Sequence, residues 1–400
     1  MESTRAISLV EIGESEVRYL AGISLQGVPE VLFLKRVPLS KGAVKEGLVK
    51  DRPAVVEAIK KATSIEDEAV ARKVDSSITS LLLPPVGFKI YSCEKNTTVV
   101  AANNMIDRVD VSNVLSLVNK EKVPNGNDVV EIVPEVFYLE DGRMFAAPPI
   151  GSKSAHLGVR AQVHTLPGEV VHAYRSLLEE AGIRTSRLSV STAAVSNLVK
   201  SYRDLPQAYF LIDLGAGTTK VALIGNGEPV SSVLFPYGGK DIDEAVASTL
   251  GLDTRSARYL KERYGYRSSK RREADVTLDN GASVKLEDVY EALKVPFLSY
   301  DKYISNSILT IERDYGGSSG RLGSLPLIFV GGLSALNGIG ELLPKTLSGR
   351  KSVFLVPRSI GARDPSLAAM LGFIASEAAY RNAAEEEGVG VGSLSRLSRS

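Results

Sequence analysis

The chain of 400 residues holds a single cysteine, Cys93, so no disulfide framework can staple it. The lone thiol reads as a small buried filler, as suits a reducing cytoplasm. Neither sign of charge is in excess: 48 Lys and Arg stand against 47 Asp and Glu, a formal net charge of +1. That removes the electrostatic case for a nucleic-acid binder. No apolar run approaches the length of a membrane span. Met1-Glu2-Ser3-Thr4-Arg5 runs straight into a strand pattern, so no secretory leader is expected. His156, His164 and His172 are evenly spaced but have no cysteine nearby, and they read as structural residues rather than as a metal site.

What the chain does contain is one unit twice. Residues 208–227 read AYFLIDLGAGTTKVALIGNG. The apolar run Tyr209-Phe210-Leu211-Ile212 predicts a buried strand. Asp213 follows, then the turn Gly215-Ala216-Gly217-Thr218-Thr219. A second strand runs back over 220–224, and Asn226-Gly227 turns the chain into a third over 230–235. Glycines there let backbone N–H groups approach phosphate oxygens, threonine hydroxyls add donors, and the carboxylate can hold Mg²⁺ through water. The plain alternative is an ordinary three-stranded meander. Strands over 7–12, 17–23 and 31–34 repeat the unit, with Glu11 in the place of Asp213 and Gly13 in the turn. Two copies predict two similar domains across a cleft, a phosphate turn on each side, an arrangement that resembles the actin-like ATPases.

Between the copies, a helix over 54–63 turns Val55, Val56, Ile59 and Ala62 to one face, capped by Asp51 or Arg52. A strand over 74–83 ends at Pro84-Pro85. Paired strands over 88–92 and 97–101 joined by Glu94-Lys95-Asn96, a helix over 110–119, and strands over 129–138, 144–148 and 157–166 predict a small α+β insert. A helix ended by Gly182, a strand over 187–190 and a helix over 191–202 lead to the second copy. After it come Gly238-Gly239, a helix over 242–250, Lys261, a basic run with Arg271 and Arg272, and a hairpin around Asp279-Asn280-Gly281. A long helix over 286–313 could break at Pro296. Leu327-Ile328-Phe329-Val330 is a buried strand ending on Gly331-Gly332, a pair that lets backbone lie against a nucleotide. A strand over 353–356 and a helix over 365–380 follow.

The sequence resembles FtsA, the actin-like protein of bacterial cell division, over roughly residues 5–380. The most specific residues are Ile132-Val133-Pro134-Glu135-Val136-Phe137-Tyr138, Asp141-Gly142, Pro148-Pro149-Ile150-Gly151, Leu157-Gly158 and Val163-His164, which resemble the subdomain that distinguishes FtsA from actin. The resemblance implies an α/β, actin-like (ribonuclease H-like) two-domain fold with duplicated β-meander units and an inserted small α+β subdomain. The first domain would take 1–85 and 166–205 with the insert at 86–165. The second would take 206–240, a smaller lobe at 241–323, and 324–357. A helix over 358–382 would return to the first domain, ahead of a flexible tail over 383–400.

It further implies a cytoplasmic scaffold at the inner membrane of the division site. Such a protein binds ATP and Mg²⁺, is at most a very slow ATPase with no catalytic residue to name, and polymerises head to tail. It binds the C-terminal tail of FtsZ and other divisome proteins, and touches the membrane through its C-terminal tail. Carried over by motif, the cofactor site is Gly13, Asp213, Gly215, Gly217, Thr218, Thr219, Lys220, Gly238, Gly239, Lys261, Gly331, Gly332 and Leu333, with Asp213 and Glu11 on the metal side. Leu333 and Ala335 read from the residues alone as packing. Arg271, Arg272, Lys285 and Lys294 would meet the acidic FtsZ tail.

Three departures temper this. The turn Glu11-Ile12-Gly13-Glu14-Ser15-Glu16 sets carboxylates where the family has Thr and Lys, which opposes phosphate binding unless Glu14 and Glu16 point to solvent. Ala257-Arg258 replaces the family's Ala-Glu, and 290–298 offers only Glu291 and Lys294 for the nucleoside. The tail over 391–400 has only Leu394 and Leu397 with Arg396 and Arg399, too little apolar area for a strong membrane helix. PilM, the FtsA-like platform of type IV pili, is the alternative family. A sugar or acetate kinase would need an acid–base constellation that the sequence lacks.

Overall fold

The computed structural model describes residues 6–25, 28–124, 126–268, 275–279, 281–315 and 321–376. The repeated unit is present as two five-stranded mixed sheets. In the first, Ile7–Ile12 pairs antiparallel with Glu16–Leu25, which pairs with Val28–Pro38. On its other side Ile7–Ile12 runs parallel to Ile78–Leu83, and that strand to Arg184–Val190. Tyr209–Leu214, Thr219–Gly225, Glu228–Phe235, Leu327–Val330 and Ser352–Phe354 repeat the same order and directions.

Alternation along the two first strands places the site. Successive side chains of a strand point to opposite faces. Ile7 and Leu9, like Tyr209 and Leu211, enter one shared core, whereas Val10 and Ile12 enter the outer core of the first sheet and Phe210 and Ile212 that of the second. The next residue in each inward series is Glu11 and Asp213. Both carboxylates therefore stand at strand ends on the inward faces, where the apolar core stops.

That shared core holds the two halves together. It takes in Leu20 of the first sheet, Ile224 and Ile328 of the second, Val195 and Leu198 of the helix Ser191–Lys200, and Leu371 and Phe373 of a helix over 368–376. The two helices touch backbone to backbone at Gly372, where a methyl group would lie 1.9 Å from the Ala194 carbonyl oxygen.

The insert is a four-stranded antiparallel sheet in the order Lys89–Thr98, His156–Pro167, Asn127–Leu139, Met144–Phe145, with the helix Arg108–Asn119 packed on it. The hairpin expected at Glu94-Lys95-Asn96 is absent. Lys89–Thr98 is one edge strand, and Glu94 and Asn96 lie exposed on it while Cys93 is buried. On an edge strand such polar residues face water and need no turn. Pro296 likewise causes no break: the helix Leu286–Tyr315 runs through it. Val289, Leu293, Phe297, Tyr300 and Ile304 bury one continuous stripe on either side of the proline, which outweighs one lost hydrogen bond. The Tyr237 hydroxyl also donates to the Pro296 carbonyl at 3.2 Å.

A buried ionic joint fastens the insert to the first sheet. Glu131 of the insert accepts from Arg187 Nη2 at 2.5 Å and from Ser189 Oγ at 3.1 Å. His164 Nδ1 lies 3.7 Å from the same carboxylate, on a ring with no exposed surface. Burial alone would raise the Glu131 pKa, but His164 and Arg187 outweigh it and hold it down at about 2.

Candidate functional site

The two hairpins face each other across a cavity of about 550 Å³. Each carries an acid and a base in direct cross-strand register: Glu11 opposite Arg18, and Asp213 opposite Lys220. Arg18 Nη2 lies 3.4 Å from Glu11 Oε2, and Lys220 Nζ lies 2.7 Å from Asp213 Oδ2. Reading along the chain finds Glu16 where a cation is wanted. Counting across the hairpin finds Arg18, and that register is the signal the sequence reading missed.

The second hairpin's turn is tied back to the helix behind it. Gly239 N–H donates to Gly215 O at 3.1 Å and Lys240 N–H to Ala216 O at 2.7 Å. Two turn carbonyls are thereby occupied, which favours an anion over a cation at this turn. Gly239 begins the helix Gly239–Leu250, while the Gly238 N–H donates to Asp241 Oδ2 at 2.7 Å. Gly331 has φ +88°, and a side chain on it would run into Asp213 Oδ1 at 2.5 Å, so only glycine fits the crossing of these two strand ends.

Glu11, Gly13, Asp213, Gly215, Gly217, Thr218, Lys220, Gly239, Lys261, Gly331, Gly332 and Leu333 all line the cavity. Thr219 sits beneath it, fully buried. Its hydroxyl donates to Tyr237 O at 2.8 Å, so the hydrogen in its 2.5 Å contact with the buried Tyr300 hydroxyl comes from tyrosine. Thr219→Val leaves the Tyr300 hydroxyl without this acceptor. It should cost about 1–3 kcal/mol in denaturant unfolding, whereas Thr219→Ser should cost well under that.

Lys261 is also buried and engaged. Its Nζ lies 2.6 Å from Asp243 Oδ1 and donates to Gly239 O at 2.9 Å. Burial pushes the Asp243 carboxyl up against the pull of Lys261. Arg258, at the position of the family's Glu, pairs with Glu262 at 2.7 Å, and both line the cavity.

Other lining residues carry no sequence motif. Residues 364–366 pass between the halves: Gly331 N–H donates to Pro365 O at 3.2 Å, Arg18 donates to Ser366 O, and Arg36 Nη2 holds Asp364 Oδ2 at 2.5 Å. Glu16 lies between Arg36 at 3.4 Å and Arg18 at 3.7 Å. Both Glu14 and Glu16 line the cavity rather than pointing away from it.

Lys294 stands apart from the cleft, paired with Glu291 at 2.5 Å, and Lys285 is exposed on the short strand Ser283–Lys285. Arg271, Arg272 and the tail over 383–400 lie outside the described residues. Among the described residues, no helix is long and apolar enough to cross a membrane.

The family described as "Cell division protein FtsA" matches residues 210–372. Cell division protein FtsA of Streptococcus pneumoniae is 27% identical over 366 residues, 90% of this chain and 77% of that protein. The chain is a distant homologue of FtsA. FtsA of Bacillus subtilis is 25% identical over 383 residues, covering 94% of this chain and 83% of its own. Solved structures agree on the fold. The PilM-PilN type IV pilus biogenesis complex aligns with TM-score 0.60 at 18% identity, over 93% of this chain and 98% of its own. MreB5 of Spiroplasma citri bound to AMPPNP aligns with TM-score 0.54 at 14% identity, over 96% and 99%. By sequence the chain is FtsA-like, and its fold is the actin-like two-domain α/β fold.

Proposed function

We propose that the chain is a nucleotide-binding cytoskeletal adaptor of cell division, which polymerises head to tail and links FtsZ filaments to the inner membrane. The observation that carries this is the pair of facing acid–base hairpins around one cavity, in a chain aligned with FtsA over nine-tenths of its length. In this reading the Gly215–Thr218 turn and Lys220 hold phosphates. Gly331 and Gly332 back the nucleotide, and Lys261 fixes the Gly239 wall beside it. Among the described residues no group of three or more His, Cys, Asp or Glu could hold a metal ion, and Glu11 and Asp213 each already face a cation. Mg²⁺ would therefore enter with the phosphates and touch Asp213 through water. In this reading the chain acts as a scaffold with at most very slow ATP turnover.

The lobe that carries Lys285 and Lys294 suits an acidic peptide, and the sequence adds Arg271 and Arg272 as further cations of the same segment. A labelled FtsZ C-terminal tail peptide should bind with micromolar affinity by fluorescence anisotropy. Arg271→Glu or Lys294→Glu should weaken it about tenfold at low salt. A cleft occupied by the protein's own Glu14 favours a second reading, a PilM-like platform of pilus assembly that works without turnover. Binding of a PilN-type N-terminal peptide, with none of the FtsZ tail, would select it. The C-terminal tail should float with anionic vesicles only weakly as a monomer, and better as a polymer through avidity.

A further inference from the structure

We propose that the cleft takes a nucleoside diphosphate in preference to a triphosphate, because Glu14 supplies from within the chain the anion that a terminal phosphate would bring. The proposal rests on the reading of the cleft as a nucleotide site and names which nucleotide it favours.

Glu14 belongs to the first hairpin, yet its side chain crosses the cleft to the turn of the second. A methyl group built on Gly217 would lie 1.9 Å from Glu14 Oε2, 2.7 Å from its Cδ and 3.2 Å from Oε1. The whole carboxylate thus rests on Gly217, a residue of the turn with no side chain to hold it off. Lys240, in the first turn of the helix behind, donates to the Glu14 carbonyl at 2.9 Å, so backbone and side chain of this residue both bridge the halves. Glu14 Oε1 is buried and has no hydrogen-bond partner. Burial pushes the carboxyl up, against the pull of Lys240 and of the Gly47 and Glu46 amides. This acid is not a solvated surface group that happens to lie near the cleft.

Phosphate and carboxylate compete for this turn on two grounds. They cannot fill one volume, and two anions in contact at reduced dielectric repel strongly. A diphosphate is shorter by one phosphoryl group. It can meet Gly215 and the Gly331-Gly332 backbone and leave Glu14 on Gly217. A triphosphate must first displace the Glu14 side chain from Gly217.

The test is calorimetric titration of the full chain with ADP and with ATP, both with Mg²⁺, for the wild type, Glu14→Gln and Glu14→Ser. The wild type should bind ADP at least about tenfold more tightly than ATP. Glu14→Ser should remove most of that preference, and Glu14→Gln part of it, by tightening ATP while ADP moves little. Equal or tighter binding of ATP by the wild type overturns the proposal. So does an unchanged ADP-to-ATP ratio in Glu14→Ser, or loss of both nucleotides in either variant. Should Glu14→Ser melt at a much lower temperature, the isosteric Glu14→Gln carries the comparison. If none of the three proteins binds either nucleotide while all melt cooperatively, the nucleotide reading of the cleft itself is wrong.

Discussion

Glu131→Ala should cost about 3–5 kcal/mol, the range found when one partner of a buried ion pair is removed. The loss comes less from missing attraction than from what remains. Arg187 keeps its charge on a side chain that is only 20% exposed, Ser189 loses an acceptor, and His164 stays enclosed. Glu131→Gln should cost less, because it keeps the shape and part of the hydrogen bonding. Hydrogen exchange read by mass spectrometry would place the effect, with protection lost first in His156–Pro167 and Arg184–Val190, the strands on either side of the joint. A loss below about 1 kcal/mol for Glu131→Ala would show that the joint does not bear on stability.

The same residue sets a pH dependence. Its folded pKa, about 2, lies below the ordinary carboxyl value of 4.5. Its contribution is therefore fully present above about pH 4.5 and is lost as pH falls from there towards 2. In Glu131→Gln that part of the acid sensitivity should disappear.

Gly372→Ala should be nearly as damaging. A methyl group at this position would meet backbone, 1.9 Å from Ala194 O and 2.8 Å from its carbonyl carbon, so no side-chain rotation relieves it. The helix over 368–376 must retreat from Ser191–Lys200, and the core shared by both sheets opens. We expect about 3 kcal/mol of destabilisation in urea, at the upper end for overpacking. Gly340→Ala is the matched control, since a methyl group there meets only Leu347 Cδ1 at 3.8 Å. It should leave stability within about 1 kcal/mol of the wild type. Equal effects at the two sites would show that the shared core tolerates separation of its helices.

How much of this was legible beforehand depends on which physical signal each feature leaves. Both hairpins could be read because a strand covered on both faces must be apolar throughout, and a charged residue at its end then stands out. Asp213 and Glu11 were visible for that reason. Arg18 was not, because its partnership is set by register across a turn, which linear spacing does not reveal. The edge strand Lys89–Thr98 was misread because Glu94-Lys95-Asn96 has the composition of a turn, and only the pairing with His156–Pro167 shows that it has a solvated face to occupy. Pro296 was over-read for the opposite reason: a local penalty was weighed without the buried stripe that outweighs it. Arg36, Asp364 and Ser366 left no trace, since chain segments far apart meet only once both domains exist. Glu14 was visible as a charge, but the missing side chain that receives it lies on the other hairpin.

The path of residues 364–376 has a mechanical consequence. The segment leaves the cleft, where Arg18 and Arg36 grip it, and enters at once the helix wedged between the two sheets. Tension applied to the chain beyond Ser376 is carried up that helix to both sheets together and ends on the residues at the mouth of the cavity. A pull on the helix over 368–376 should therefore bear on the residues that line the cavity, with no separate lever needed between them.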